Sequence, residues 1–100
     1  MKELDITVQH EAGLHLRPAA MFVQTAASFN AAVQVRNNER DTGFKNAKSA
    51  LEVMMLGVSQ GHSITIRADG EDEDEAVEAL ARLIESNFQM APPAGEGSKG

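Results

Sequence analysis

One hundred residues with a mass of 10.7 kDa suit one domain and leave no room for two. Hydrophobic residues reach 42% but aromatics only 4%, all of them Phe, so the core must be aliphatic. Zero cysteines exclude a disulfide framework, thiolate catalysis and a cysteine zinc site. The net charge of −6 argues against nucleic acid and anionic membranes as partners. No window reaches the ~18 uninterrupted apolar residues of a membrane span. The opening MKELDITV reads as a strand rather than a secretion signal, so a cytoplasmic protein is expected.

Taken in chain order, Leu4, Ile6 and Val8 alternate with polar residues and predict a half-buried strand. A turn follows at Glu11–Gly13. Pro18 then opens a helix to about Ser28, with Ala19, Phe22, Val23 and Ala26 as its apolar stripe. Val33 and Val35 mark a second strand. A polar loop runs from Asn37 to Gly43, and a weak third strand lies around Thr42–Lys45. Lys48–Gly57 is a short helix stopped by Gly57. After a turn at Gln60-Gly61, Ile64, Ile66 and Ala68 alternate as a fourth strand over Ser63–Ala68. A last helix spans about Asp72 to Asn87, with Val77, Leu80, Leu83, Ile84 and Phe88 facing the core. The order is β-α-β-β-α-β-α, an α+β class whose simplest closure packs the helices on one face of an antiparallel sheet. Residues 1–90 form this domain. The Pro- and Gly-rich stretch 91–100 has no apolar pattern and is expected to be disordered.

The charge is unevenly spread. Asp69, Glu71, Asp72, Glu73, Asp74, Glu75 and Glu78 put −7 into ten residues, which leaves the other 90 at +1. The run lacks the alternating order of an EF-hand loop. It fits the first turn of a helix, where the macrodipole favours negative charge. Three further patterns carry no chemistry. Gly95-x-Gly97-x-x-Gly100 matches a dinucleotide fingerprint but has no strand before it and no helix after it. His10-Glu11-Ala12-Gly13-Leu14-His15 resembles a zinc motif, yet the spacing is five and Gly13 breaks any helix, so no metal is expected. A hydrolase pairing His15 with Ser49 would lack a nucleophile elbow.

Two segments are different. Gly13-Leu14-His15-Leu16-Arg17-Pro18-Ala19-Ala20 places a histidine just before a helix N-terminus, with an arginine two residues on. First-turn amides have no intrahelical acceptor, and with the dipole they favour an anion. Arg17 adds a cation suited to phosphate oxygens. A neutral imidazole nitrogen is a nucleophile, and a nearby cation favours that neutral form. The arrangement suits a histidine that accepts a phosphoryl group; a helix-capping histidine beside a surface arginine is the plain alternative. The second segment, Asn46–Val58, holds Ser49-x-x-Glu52, a capping box that starts a helix at Ser49. That helix is apolar nearly all round. Val53 and Leu56 can face the sheet, but Leu51, Met54 and Met55 cannot all be buried with them. They either form an adaptable docking patch or cover a loop.

Together, GLHLRPAA and NAKSALEVMMLGV resemble the histidine-containing phosphocarrier (HPr) family of the sugar phosphotransferase system, over about residues 2–89. The resemblance implies an open-faced β-sandwich: a four-stranded antiparallel sheet of order 1-4-2-3, covered on one face by three helices. It implies that His15 takes a phosphoryl group on Nδ1 from phosphoenolpyruvate-charged enzyme I and passes it to the A domain of a sugar-specific enzyme II. Arg17 matches the arginine that stabilises that group. Ser49 matches a regulatory serine modified by an HPr kinase/phosphorylase. Leu16, Ala20, Lys48, Leu51, Met54 and Met55 match the surface that docks partners, which in the family include transcription regulators. No cofactor, nucleic acid or membrane insertion is implied, and a monomer is expected. An HPr-like regulatory module or a nitrogen-type phosphorelay carrier is the alternative. Leu16, Ala50, Gln24, Ala27 and a loop Asn37–Gly43 about three residues longer than usual depart from the common family pattern.

Overall fold

The computed structural model describes residues 1–14 and 16–89; His15 and residues 90–100 lie outside the described residues. The disorder expected for 91–100 falls there too. The elements are β1 (Lys2–Thr7), α1 (Leu16–Ala27), β2 (Ala32–Asn37), β3 (Lys45–Asn46), α2 (Ala50–Met55), β4 (Ser63–Asp69) and α3 (Glu73–Glu85). The sheet order is β1-β4-β2-β3, with every neighbouring pair antiparallel. β4 is the spine: it pairs with β1 from Lys2↔Ala68 to Thr7↔Ser63, and with β2 from Ala32↔Asp69 to Asn37↔Ile64.

One face of this sheet is covered. Alternation along β2 buries Val33 and Val35, and β4 adds Ile64, Ile66 and Ala68. Phe22 and Ala19 of α1, Val53 of α2, and Leu80 and Ile84 of α3 close the same core. Each large aliphatic or Phe side chain buried there stabilises the fold by about 1.5–3 kcal/mol. The expected open-faced, three-helix sandwich is therefore the architecture found. On the open face Arg67 stacks 3.7 Å over the Phe44 ring and donates to Gln34.

Several boundaries differ from the sequence reading, each for a local reason. α1 begins at Leu16, so Pro18 is its third residue rather than its first. Proline fits there because no amide of the first turn has an intrahelical acceptor. β3 is two residues, displaced past Thr42, because Gly43 turns the chain at φ +69 and Phe44 lies against Arg36 and Arg67. α2 is shorter than Lys48–Gly57, since Ser49 is its N-cap and Gly57 takes φ +62 beyond its end. The capping box is half formed. Ser49 Oγ accepts the Glu52 N–H at 3.3 Å, but Glu52 Oε1 accepts from the Asn46 N–H at 2.9 Å instead of reaching back to Ser49. α3 stops at Glu85, and Asn87 and Phe88 both adopt left-handed backbone, at φ 61 and φ 63. The Phe88 N–H reaches Leu83 O at 2.8 Å and the Asn87 N–H reaches Ile84 O at 3.0 Å. This is a Schellman ending with an aromatic lid in place of a glycine stop.

Candidate functional site

The segment ahead of α1 is held by the chain that follows α2. Leu14 N–H donates to Val58 O at 3.1 Å, and Gly13 sits buried at φ +61 against the same peptide. A Cβ on Gly13 would overlap the Val58 carbonyl oxygen, so only glycine allows this approach. His10 Nδ1 accepts the Ala12 N–H at 3.0 Å, which closes the turn from the other side. That nitrogen is thereby engaged, and no metal-binding group of His, Asp and Glu occurs among the described residues.

Arg17 is exposed in the first turn of α1, and that turn holds no acidic side chain. The N–H groups of Leu16 and Arg17 precede any intrahelical acceptor. Donors, the helix dipole and a guanidinium thus share one sign at the place where the chain passes through His15. A cleft of about 600 Å³ opens beside Arg17, walled by His10, Pro18, Met21, Asn87, Phe88 and Gln89. The Phe88 ring packs edge-on against His10 with centroids 5.6 Å apart. The α3 ending therefore meets the start of α1 across the cleft. His10, Asn87 and Phe88 have no motif that marks them as neighbours of Arg17.

The apolar side chains of α2 that cannot all be buried together are exposed. Leu16 and Leu51 are each 72% exposed and Met55 is 60% exposed, with Met54 and Ala20 exposed as well. Val53 and Leu56 of the same stretch are buried, which supports the split made from their spacing. α1 and α2 pack on one another, so these side chains belong to neighbouring elements. Lys48 behaves differently: its Nζ donates to Phe29 O at 2.8 Å and ties the approach of α2 to the end of α1. Ser49 is half-buried at the α2 N-cap, and Glu52, the acid of that first turn, is turned to Asn46.

A family profile described as "PTS HPr component phosphorylation site" matches residues 2–86. The chain belongs to the HPr family. It is an HPr-type phosphocarrier of the phosphotransferase system. A phosphocarrier protein HPr of Xylella fastidiosa is 42% identical over 88 residues, covering 88% of this chain and 96% of that protein. The HPr of Lysinibacillus sphaericus is 44% identical over 84 residues, covering 84% of this chain and 92% of its own length. Among solved structures, HPr-C-His from Thermoanaerobacter tengcongensis superposes with a TM-score of 0.83 at 48% identity, over 90% of this chain and 98% of that one. HPr folds thus share the sheet order 1-4-2-3 and the helix layer found here. No helix among the described residues is long and apolar enough to cross a membrane.

Proposed function

We propose that His15 is the phosphoryl acceptor of this carrier, loaded by enzyme I and unloaded by the A domain of a sugar-specific enzyme II. The observation that carries this reading is the cationic, acid-free first turn of α1, with exposed Arg17, bordered by the exposed Leu16, Leu51, Met54 and Met55. The lone pair of His15 Nδ1 attacks phosphorus, a new P–N bond forms, and the bond to enzyme I breaks. The second transfer runs the same step toward the A domain. Such transfer needs positioning and charge stabilisation more than covalent help from the protein. Arg17 and the first amides of α1 supply the charge stabilisation. The exposed Leu and Met side chains give two successive partners an adaptable apolar footing. Ser49 is the regulatory site: a phosphate there adds about −1.5 to −2 charge beside that footing, where desolvating it is costly.

The test is incubation with enzyme I and phosphoenolpyruvate, followed by mass spectrometry. An acid-labile, base-stable phosphate is expected on His15, and none on the His15→Ala protein. Equal labelling of that variant removes His15 from the relay. A second incubation, with ATP and an HPr kinase, is expected to place a stable phosphate on Ser49.

A further inference from the structure

His62 occupies the junction between the two halves of the proposed site. Its Nδ1 accepts the Ser59 N–H at 3.1 Å and lies 3.2 Å from Asn37 Nδ2. A backbone N–H can only donate, so Nδ1 carries the lone pair and Nε2 the proton. Asn37 is fully buried, and its amide is oriented without ambiguity. Nδ2 donates to Leu56 O at 3.0 Å and Oδ1 accepts the Glu39 N–H at 2.9 Å, which leaves the second Nδ2 hydrogen for His62. One imidazole nitrogen therefore gathers two strands of influence. Through Asn37 it holds the carbonyl that ends α2. Through Ser59 it holds the peptide next to Val58, whose carbonyl anchors Leu14 just before His15.

We propose that His62 is a positioning residue for the engagement of enzyme I, fixing the loop before His15 relative to the docking helix α2. The inference rests on the reading of His15 and α2 given above. It adds a pH dependence that neither segment has by itself. Protonation of the ring places an N–H on Nδ1, facing two other donors and no acceptor, and the junction must open. The charged groups brought to this junction are Glu39, whose Oε2 accepts the Ser63 N–H at 3.3 Å, and Arg40, whose guanidinium lies over Gly57. The other partners of the ring and of Asn37 are neutral.

The experiment has an arm that needs no enzyme. Imidazole nitrogen shifts of the wild-type protein are expected to show an unprotonated Nδ1 at neutral pH. The amides of Leu14 and Gly57 are expected to titrate with the His62 midpoint. A protonated Nδ1, or amides that ignore the His62 titration, overturns the junction. In the enzyme I assay, His62→Ala is expected to raise the carrier's KM about fivefold with kcat unchanged, the equivalent of one neutral hydrogen bond. His62→Asn, whose Oδ1 stands where Nδ1 stood, is expected to restore KM. Acidification that protonates the ring is expected to raise the wild-type KM by more than that of the Asn variant. A folded His62→Ala protein with unaltered KM, or parallel pH profiles, refutes the role. A wild-type protein that takes no label from enzyme I refutes the His15 reading instead, and the nitrogen and amide shifts still decide the junction.

Discussion

The starts of α1 and α3 are built from opposite charges and meet opposite fates. At α3 the two acids that open the helix, Asp72 and Glu73, are answered. Asp72 accepts the Asn30 and Ala31 N–H groups at 2.8 Å each, while Glu73 accepts the Gly70 N–H and meets the Met1 ammonium at 3.0 Å. At α1 the positive groups are left facing outward: an exposed guanidinium, a first turn without acids, and Leu16 in solvent. Completed partnerships hold a fold together; a guanidinium without a partner among the described residues is available to another molecule. The strongest charge in the sequence is thus architectural, and the weaker one borders the proposed working surface.

The contrast can be broken at four points. The largest effect is expected at Arg17. Arg17→Ala should slow transfer from enzyme I by about 100-fold, the scale of losing one preorganised charge-stabilising donor, with thermal stability unchanged. A rate near wild type would make α1's first turn as structural as α3's. Next, Ser49→Asp keeps a good N-cap and should preserve the fold. Acceptance from enzyme I should nevertheless fall about tenfold, because the added charge must be desolvated beside Leu51 and Met54. An unchanged single-turnover rate would detach Ser49 from regulation.

At the other helix start, the expected effects are on stability alone. The backbone amides of Asn30 and then Ala31 hold the Asp72 carboxyl below the usual carboxylate range, and the Gly70 amide followed by the Met1 ammonium does the same for Glu73. The sign follows from proton binding: below the ordinary carboxylate range the unfolded chain binds protons that the folded chain resists. The contribution is therefore full above about pH 4–5 and is lost as pH falls toward the lowered folded values. Asp72→Asn should lower the melting temperature at pH 7 and flatten its decline in acid, with phosphoryl transfer untouched. A transfer defect in that variant would mean the two helix starts are coupled. The smallest effect belongs to Glu78, whose exposed i,i+4 pair with Arg82 spans 3.5 Å. Glu78→Gln should change stability by no more than about 0.5 kcal/mol in a denaturant titration.

Legibility in the sequence followed the range of the interaction. Val33 and Val35, Ile64 and Ile66, and the α3 stripe were readable because burial repeats at the period of the element. Ser49 as a cap and Leu51, Met54 and Met55 as uncovered side chains were readable for the same reason, since both depend on neighbours within one turn. What escaped depended on groups far apart in the chain. Nothing near Asp72 predicts that it caps the Asn30–Ala31 turn. Phe88 against His10, and His62 against Asn37, join residues that share no local pattern. The candidate site was legible as two motifs, while the cleft beside Arg17 and the braces behind the motifs were not.

The pairing of β1 with β4 has a consequence for how the chain comes into being. Lys2 finds its partner at Ala68 and Thr7 at Ser63, so the first strand synthesised waits for most of the domain before it has a neighbour. β2 waits as well, because its long partner is also β4. A nascent chain that has not yet released Ser63–Asp69 from the ribosome holds β1 without a neighbour and β2 with only the two-residue β3 beside it. Loop closure over about sixty residues must be met before the β1–β4 ladder rewards it, and over about thirty before the β2–β4 ladder does, which slows folding.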